Sequence, residues 1–380
     1  MTNSSVDTSD EPAADAAVPV LDRTLLDEEL LDLTDTERAP TQVTYSTQDF
    51  DISGLVQRLQ RGSMQIPSYG LDDPSIVTAG FQRGFVWTKS QMDRFIESLL
   101  LGYPIPGLFL VKQTTNNRML VLDGQQRLVT LRRFYEGEHN GREFTLDYVG
   151  DKYSGKTYAT LAEAERLLLD DSFMQATIVI ADGSSTLNTA VYQIFERLNS
   201  GGTQLTPHEI RVALYAGPFT AYLEELNSYA QWRSIYGGRS VRIRDQEVVL
   251  RALAMFLDSG SYGRPLKGFL NDFAERHRVI DPKLKVAGNL FKTACDRLAE
   301  GPGRDALRRP GSNQVNAAQA EAVLVGVMRA IKARKLATDL SGVLAELLGS
   351  ELFTEATSRS TAGVEAVQTR LGVATKSFRR

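Results

Sequence analysis

The stretch VLDGQQRLVTLRRFY, residues 121–135, joins an apolar segment to a helical pattern through the turn pair Asp123–Gly124. The segments LFLVKQ (108–113) and RMLVLD (118–123) flank the turn-forming TTNN and predict a β-hairpin. The residues that follow Gly124 predict a helix. The sequence therefore predicts that a strand meets the N-terminus of a helix at Asp123, Gly124, Gln125, Gln126 and Arg127.

This composition at a helix N-terminus predicts a phosphate-binding cradle. The first N–H groups of a helix lack intrahelical partners and carry partial positive charge. Gly124 would let an anion approach the backbone, and Gln125 and Gln126 would add amide donors. Arg127 would add a forked cationic donor, and Arg132 lies on the same helix face as Gln125, seven residues later.

A purely structural interpretation explains the same residues. Asp-Gly would form the turn, Asp123 would cap the helix, and the arginines would be solvated. Two charge-assisted hydrogen bonds and the helix dipole would contribute about 3–7 kcal/mol, whereas millimolar to micromolar binding needs about 4–8 kcal/mol. A phosphate would therefore need a further partner, such as Arg83, a metal or a base pocket, and spacing alone favours the structural interpretation.

Charge and composition divide the chain into an acidic leader and a mildly basic body. Residues 1–40 carry eleven acidic and two basic residues, a net charge of −9, so that the body carries +5 of the total of −4. We expect a disordered leader over 1–44 because this segment can bury little apolar surface. No secretory signal or long apolar run is present, and one cysteine, Cys295, is typical of a reducing cytoplasm.

Hydrophobic spacing predicts an α+β architecture. Helices are expected at 51–62, at 88–101 with Thr88 or Ser90 as the cap, at 160–170, and from Thr206 onward, where Thr206, Pro207 and Glu209 form a capping box. Further strands are expected at 143–149 and 175–181. From about residue 240 the pattern is helical, which predicts a mixed α/β domain over 45–235 and an all-helical domain over 236–380.

Three ordered motifs carry a family resemblance. FQRGFVWTKSQMDRFIESLLLGYPIPGLFL (81–110), VLDGQQRLVTL (121–131) and IFERLNSGGTQLTPHEIR (194–211) together resemble the N-terminal domain of GmrSD-type restriction subunits. The resemblance covers roughly 50–235 and extends more faintly to RIRDQEVVLRALAMFL (242–257). It implies a fold related to ParB and sulfiredoxin, and an NTPase that acts in bacterial defence against phage.

The resemblance also implies a site. It points to Asp123 and Arg127 as catalytic residues, with Asp123 either orienting water or binding Mg²⁺ and Arg127 stabilising charge on the transferred phosphoryl group. An NTP would be the substrate. The nucleotide-binding residues that it implies, together with those at the joint, are Gln82, Arg83, Gly124, Gln125, Gln126, Arg132, Asn199, Gly201 and Gly202.

The helical tail departs from relatives that carry an HNH-type nuclease. The only histidines are His139, His208 and His277, about 70 residues apart, which does not suit a grouped metal site. We therefore expect a defence subunit that hydrolyses NTP, senses foreign or modified DNA and acts with a nuclease or another subunit, without a membrane contact and with self-association left open. The alternatives are a DNA nuclease in its own right and a nucleotide- or DNA-binding regulator without turnover.

Overall fold

The computed structural model describes residues 43–66, 87–113, 117–181, 190–194, 206–215, 217–240 and 242–379. Its strands are β1 (Tyr45–Asp51), β2 (Met64–Gln65), β3 (Leu108–Gln113), β4 (Met119–Asp123), β5 (Glu138–His139), β6 (Arg142–Glu143) and β7 (Phe173–Ala181). Five of them form a mixed sheet in the order β1-β7-β3-β4-β2, and β5 and β6 form a small hairpin. The expected leader over 1–44 lies almost entirely outside the described residues.

The predicted hairpin at the centre of this sheet is confirmed. β3 and β4 are antiparallel, with Leu110 opposite Val121 and Lys112 opposite Met119, and the register shifts between Phe109 and Leu110. β3 is parallel to β7, β7 is antiparallel to β1, and β4 is parallel to β2. The carboxyl end of β4 therefore lies inside the sheet, next to β3, where Asp123 opposes Phe109.

Among the described residues from 52 to 170, the sheet is accompanied by four helices: α1 (Ile52–Gln60), α2 (Lys89–Leu100), α3 (Gln125–Glu136) and α4 (Glu163–Asp170). Their apolar faces share one buried cluster with the sheet, in which Leu55, Ile96, Leu128 and Ile178 take part. Of the two caps predicted for α2, the structure has Thr88, whose side chain accepts from the backbone of Gln91 in a capping box.

The strand predicted over 143–149 is wrong, because only Arg142–Glu143 is extended and paired. Phe144 and Leu146 are fully buried and alternate with more exposed residues, which is the pattern that suggested a strand. The backbone N–H groups of Asp147 and Tyr148 instead donate to the buried carboxylate of Asp93 on α2, at 2.9 and 3.1 Å. A side-chain anchor thus replaces the strand ladder in this segment.

From Pro207 to Phe378 the described residues contain ten α-helices. They are α5 (Pro207–Leu214), α6 (Pro218–Asn227), α7 (Ala230–Tyr236), α8 (Arg244–Asp258), α9 (Leu266–Arg276), α10 (Pro282–Glu300), α11 (Ala317–Lys332), α12 (Leu340–Leu348), α13 (Glu351–Ala356) and α14 (Val364–Phe378). One apolar cluster runs from Tyr215 to Phe378, across the division predicted between residues 235 and 236. The domain boundaries and the ParB-like fold stay predictions.

Helix α5 connects the sheet to the helical region. Its Ile210 packs with Leu120 and Leu122 of β4 on one side of the sheet. On its other face, buried Glu209 pairs with Arg242 at 2.9 Å, and buried Arg211 donates to Asn271 of α9 at 2.8 Å. The predicted capping box of Thr206 and Glu209, with Pro207 in the first turn, is present.

Candidate functional site

Gly124 forms the joint between β4 and α3. It has φ of +97° and occupies the N-cap position of α3, where no side chain accepts a capping hydrogen bond. A Cβ atom here would lie 2.3 Å from Cδ2 of Leu108 on β3, well inside contact distance. The position therefore requires glycine for two reasons, a left-handed backbone and close packing against the neighbouring strand.

Arg127 is buried beneath this joint, with 8% of its surface exposed. Its guanidinium donates to the backbone carbonyl of Pro106, in the segment that leads into β3, and to Oδ2 of Asp123 at 2.9 Å. Burial lowers the pKa of Arg127, and the neighbouring Asp123 carboxylate opposes that effect. Arg127 is therefore not a solvated arginine, because two of its guanidinium N–H groups are bonded within the fold.

The Asp123 carboxylate lies at the surface end of this pair. Its side chain is 57% exposed, whereas that of Arg127 is 10% exposed. The structural interpretation of the sequence expected Asp123 to cap α3. It does not, because the N-cap residue is Gly124. The result is an exposed carboxylate that Arg127 holds in place beside the start of a helix.

Gln126 links the joint to the segment that precedes α2. Its Oε1 accepts a hydrogen bond of 3.4 Å from the backbone N–H of Trp87. Trp87 is the last residue of FQRGFVW, and its ring packs edge-on against Phe95 of α2 at 5.5 Å between centroids. Gln125, by contrast, donates weakly to the Val121 carbonyl at 3.4 Å. The end of one predicted motif thus contacts the centre of another.

Residues 52–216 match the sequence model of the GmrSD restriction endonuclease, N-terminal domain. These residues form a GmrSD-type N-terminal domain. The resemblance indicated by the three motifs is confirmed, and it associates the chain with restriction and antiphage defence systems. No curated protein and no solved structure is detectably similar to the chain.

Several of the candidate nucleotide-binding residues fall outside the described residues. Gln82 and Arg83 lie outside the described residues, as do Asn199, Gly201 and Gly202, so their place in a nucleotide site stays a prediction. Arg132 lies further along α3 and is partly buried. Its predicted contact with a phosphate likewise stays a prediction.

His139 and His208 have protein hydrogen-bond partners. His208 is buried in the first turn of α5, where its Nδ1 accepts from Arg211 at 3.1 Å and its Nε2 donates to Gln246 at 3.2 Å. His139 lies in the β5–β6 hairpin, 3.0 Å from a guanidinium nitrogen of Arg133. Among the residues that the structure describes, no cluster of three or more His, Cys, Asp or Glu side chains is arranged to hold a metal ion.

Two further features bear on partners. Cys295 is fully buried in α10, and burial raises the pKa of its thiol well above the ordinary value. It is a packed core residue. Within the described ranges, no helix combines the length and apolarity that crossing a membrane requires.

Among the described residues, the joint offers a metal ion one carboxylate, that of Asp123, rather than a preformed set of ligands. Mg²⁺ at phosphoryl-transfer sites commonly uses one or two carboxylates together with substrate phosphates and water. Asp123 can supply one carboxylate beside the start of α3, where partial positive charge favours an anion. Sequence reasoning found these residues but missed Pro106 and Leu108, whose contacts with Arg127 and Gly124 no local motif signals.

Proposed function

We propose that this chain is the NTP-hydrolysing subunit of a bacterial restriction system that senses foreign or modified DNA and acts with a nuclease partner. The family match supports a role in restriction. The observation that carries the catalytic part is the exposed Asp123 carboxylate, which Arg127 fixes at 2.9 Å beside the uncapped N-terminus of α3.

In this proposal the phosphates of the NTP lie at the start of α3. The backbone N–H groups there face an anion without reorganising, because the helix is already formed. A bound Mg²⁺ would neutralise phosphate charge, and Asp123 is the carboxylate that would hold it. Alternatively, Asp123 orients the water that attacks the terminal phosphorus. The bond to the leaving nucleoside diphosphate then breaks, and the proton of the water passes to the released phosphate.

The role of Arg127 changes from the one that the sequence suggested. Its guanidinium donates hydrogen bonds to the Pro106 carbonyl and the Asp123 carboxylate, so it acts as a positioning residue for the carboxylate. A fixed carboxylate loses less freedom when it engages a water or metal ion. Partial positive charge opposite the phosphates then comes from the helix N-terminus.

Asp123→Asn tests the proposal directly. Phosphate release from ATP, GTP, CTP and UTP should be measured with the full chain, with and without duplex DNA. We expect the variant to lower turnover by about 10²-fold or more, as removal of a water-orienting or metal-binding carboxylate typically does. Its stability should change by less than about 1 kcal/mol because the ion pair is half exposed at Asp123.

Asp151→Asn is the matched control, since it changes one exposed carboxylate to an amide in a turn of the same domain. It should keep wild-type turnover. Equal turnover in Asp123→Asn and wild type would contradict the catalytic assignment. Nucleotide binding without phosphate release would favour a regulator, and Mg²⁺-dependent linearisation of plasmid that Asp123→Asn abolishes would favour a nuclease.

A further inference from the structure

Five exposed cations gather at one end of the helix pair α11 and α14. The segments that contribute them are 332–335 and 376–379, which lie more than forty residues apart in the sequence. All five side chains are exposed. We call this surface the α11–α14 patch, and its members are Lys332, Arg334, Lys335, Lys376 and Arg379.

Close helix packing brings the two segments together. A Cβ atom on Gly326 of α11 would lie 2.9 Å from the backbone carbon of Ala374 on α14, so the two backbones are in direct contact. Beyond the helix ends, Leu336 and Arg379 form an antiparallel bridge, and the Ala337 N–H donates to the Phe378 carbonyl at 3.1 Å. The patch is therefore built by tertiary structure, because the contact of the two helices and the bridge beyond them hold the two segments together.

The five cations of the patch have no carboxylate within salt-bridge distance among the described residues. Three other surface cations of the helical region differ, since Arg276 pairs with Asp258, Lys292 with Glu225, and Arg297 with Glu300. Cations in the last turn of a helix complement its dipole, which accounts for Lys332 and Lys376. It does not account for the three that lie beyond the helix ends.

Arg329 supports the patch from below. It is partly buried and donates to Ser259 at 2.7 Å and to Thr375 at 3.2 Å. Burial lowers the pKa of Arg329 most, and the charge of Arg379 lowers it further. Like charges are therefore close together here. An anion over the patch would relieve this repulsion.

We propose that the α11–α14 patch binds the phosphate backbone of duplex DNA. Exposed lysines and arginines without carboxylate partners are the groups that contact backbone phosphates, and they do so without reading sequence. The inference rests on the DNA-sensing part of the proposed function and assigns it a surface. It places DNA on the helical region, outside the domain that carries Asp123.

Apolar anchors distinguish a surface that holds an anionic membrane stably from one that binds DNA. Amphipathic membrane-binding surfaces insert large apolar side chains beside their cations. The large, well-exposed apolar side chains described in the helical region are Val279, Val286, Leu352 and Val364, and none belongs to the patch. Val364 begins α14, at the end of the helix opposite Arg379. The surroundings of the patch therefore favour DNA.

The test is fluorescence anisotropy of a labelled duplex of about 30 base pairs with the full chain, without nucleotide, over a series of salt concentrations. For about five phosphate contacts, the log–log slope of the binding constant against salt should be about −4.5. Raising salt from about 50 to about 200 mM should then weaken binding about 500-fold. A variant with all five cations changed to glutamine should lose at least about 100-fold in affinity and about four units of slope. Its substitutions are Lys332→Gln, Arg334→Gln, Lys335→Gln, Lys376→Gln and Arg379→Gln.

A matched control removes five exposed cations elsewhere, so that both variants have the same net charge. Its substitutions are Arg61→Gln, Arg94→Gln, Lys283→Gln, Lys285→Gln and Arg359→Gln. The control should keep most of the affinity and slope, and far-ultraviolet circular dichroism should show that both variants fold. Equal losses in the two variants would overturn the inference, because affinity would then follow net charge alone.

Two other measurements keep this inference separate from the proposed NTPase. The patch variant should retain wild-type NTP turnover in the absence of DNA, whereas Asp123→Asn should retain DNA affinity. A chain without any NTP turnover whose DNA binding still depended on the patch would contradict only the proposed NTPase. Sedimentation with phosphatidylserine vesicles, together with failure to bind duplex DNA, would instead overturn the assignment of DNA.

Discussion

At the β4–α3 joint, Arg127 is 8% exposed and bonded to both Pro106 and Asp123, whereas Arg379 in the α11–α14 patch is exposed beside four other cations. The first belongs to a motif that suggests a ligand contact. The second belongs to the basic segment 376–379, whose sequence alone suggests an ordinary solvated surface. The difference teaches that the partners of a cation, set by tertiary packing, decide whether it is available to a ligand.

Gly124→Val should have the largest effect on stability at the joint. Valine is strained at φ of +97°, and its Cβ would collide with Leu108. We expect a loss of about 3–5 kcal/mol in the free energy of unfolding, from backbone strain and overpacking together. Urea unfolding followed by circular dichroism would measure it. A loss of nucleotide binding in this variant would therefore not by itself show that the backbone contacts a phosphate.

Gly155→Val is the control for backbone strain alone. Gly155 has φ of +71°, but a Cβ atom there would meet nothing within 4 Å. It should cost about 1–2 kcal/mol. If both variants lost the same stability, close packing against Leu108 would not contribute to the requirement for glycine at residue 124.

Arg127→Ala and Arg379→Ala test the comparison of the two arginines. Alanine at 127 leaves the Pro106 carbonyl without its donor and removes a packed side chain, so we expect a loss of about 2–4 kcal/mol. Alanine at 379 should change stability by less than about 0.5 kcal/mol. Chemical denaturation of the two variants side by side would measure the difference. Similar stabilities would show that the contacts of Arg127 contribute little to the fold.

His208 extends the comparison to a buried group that titrates. Burial, and then the charge of Arg211, lower its pKa well below 6.5, so the folded state keeps the ring neutral. Below about pH 6.5 the unfolded state binds more protons, and the free energy of unfolding should fall with pH, by at most about 1.4 kcal/mol per pH unit for this group. The free energy of unfolding stops falling on account of His208 once the pH is below the pKa of His208 in the folded state.

Urea unfolding of wild type and His208→Gln at pH 7.5 and 5.5 would measure the loss of unfolding free energy that His208 causes. The variant has no ring to protonate and should lose less stability between the two pH values. If the two proteins lost stability equally, the pH dependence would arise elsewhere, for example at His277, whose pKa burial also lowers.

Local patterns predicted much of the fold. Thr88 was one of two candidate caps of α2, because residues next to the start of a helix signal its cap, and the β3–β4 hairpin was predicted because its two strands flank a short turn. The strand expected at 143–149 failed for a nonlocal reason. The carboxylate of Asp93, more than fifty residues earlier in the chain, holds the backbone there.

The candidate site was predictable in position but not in its contacts. Asp123, Gly124 and Arg127 were placed at a strand–helix joint, where the structure has them. The burial of Arg127 depends on the Pro106 carbonyl, twenty-one residues earlier, and no spacing rule gives that distance. The α11–α14 patch is nonlocal for the same reason, since it forms only when residues 332–335 meet 376–379.

The burial of Cys295 makes its thiol a reporter of unfolding. The chain contains one cysteine, and in the folded protein it is 0% exposed with a thiol pKa raised by burial. A cysteine thiolate attacks a thiol reagent only when the reagent can reach it, so this residue should be modified only when α10 opens. The rate of reaction of the unaltered protein with such a reagent would thus follow opening of the helical core. A cysteine introduced on the surface would in turn accept a single fluorophore.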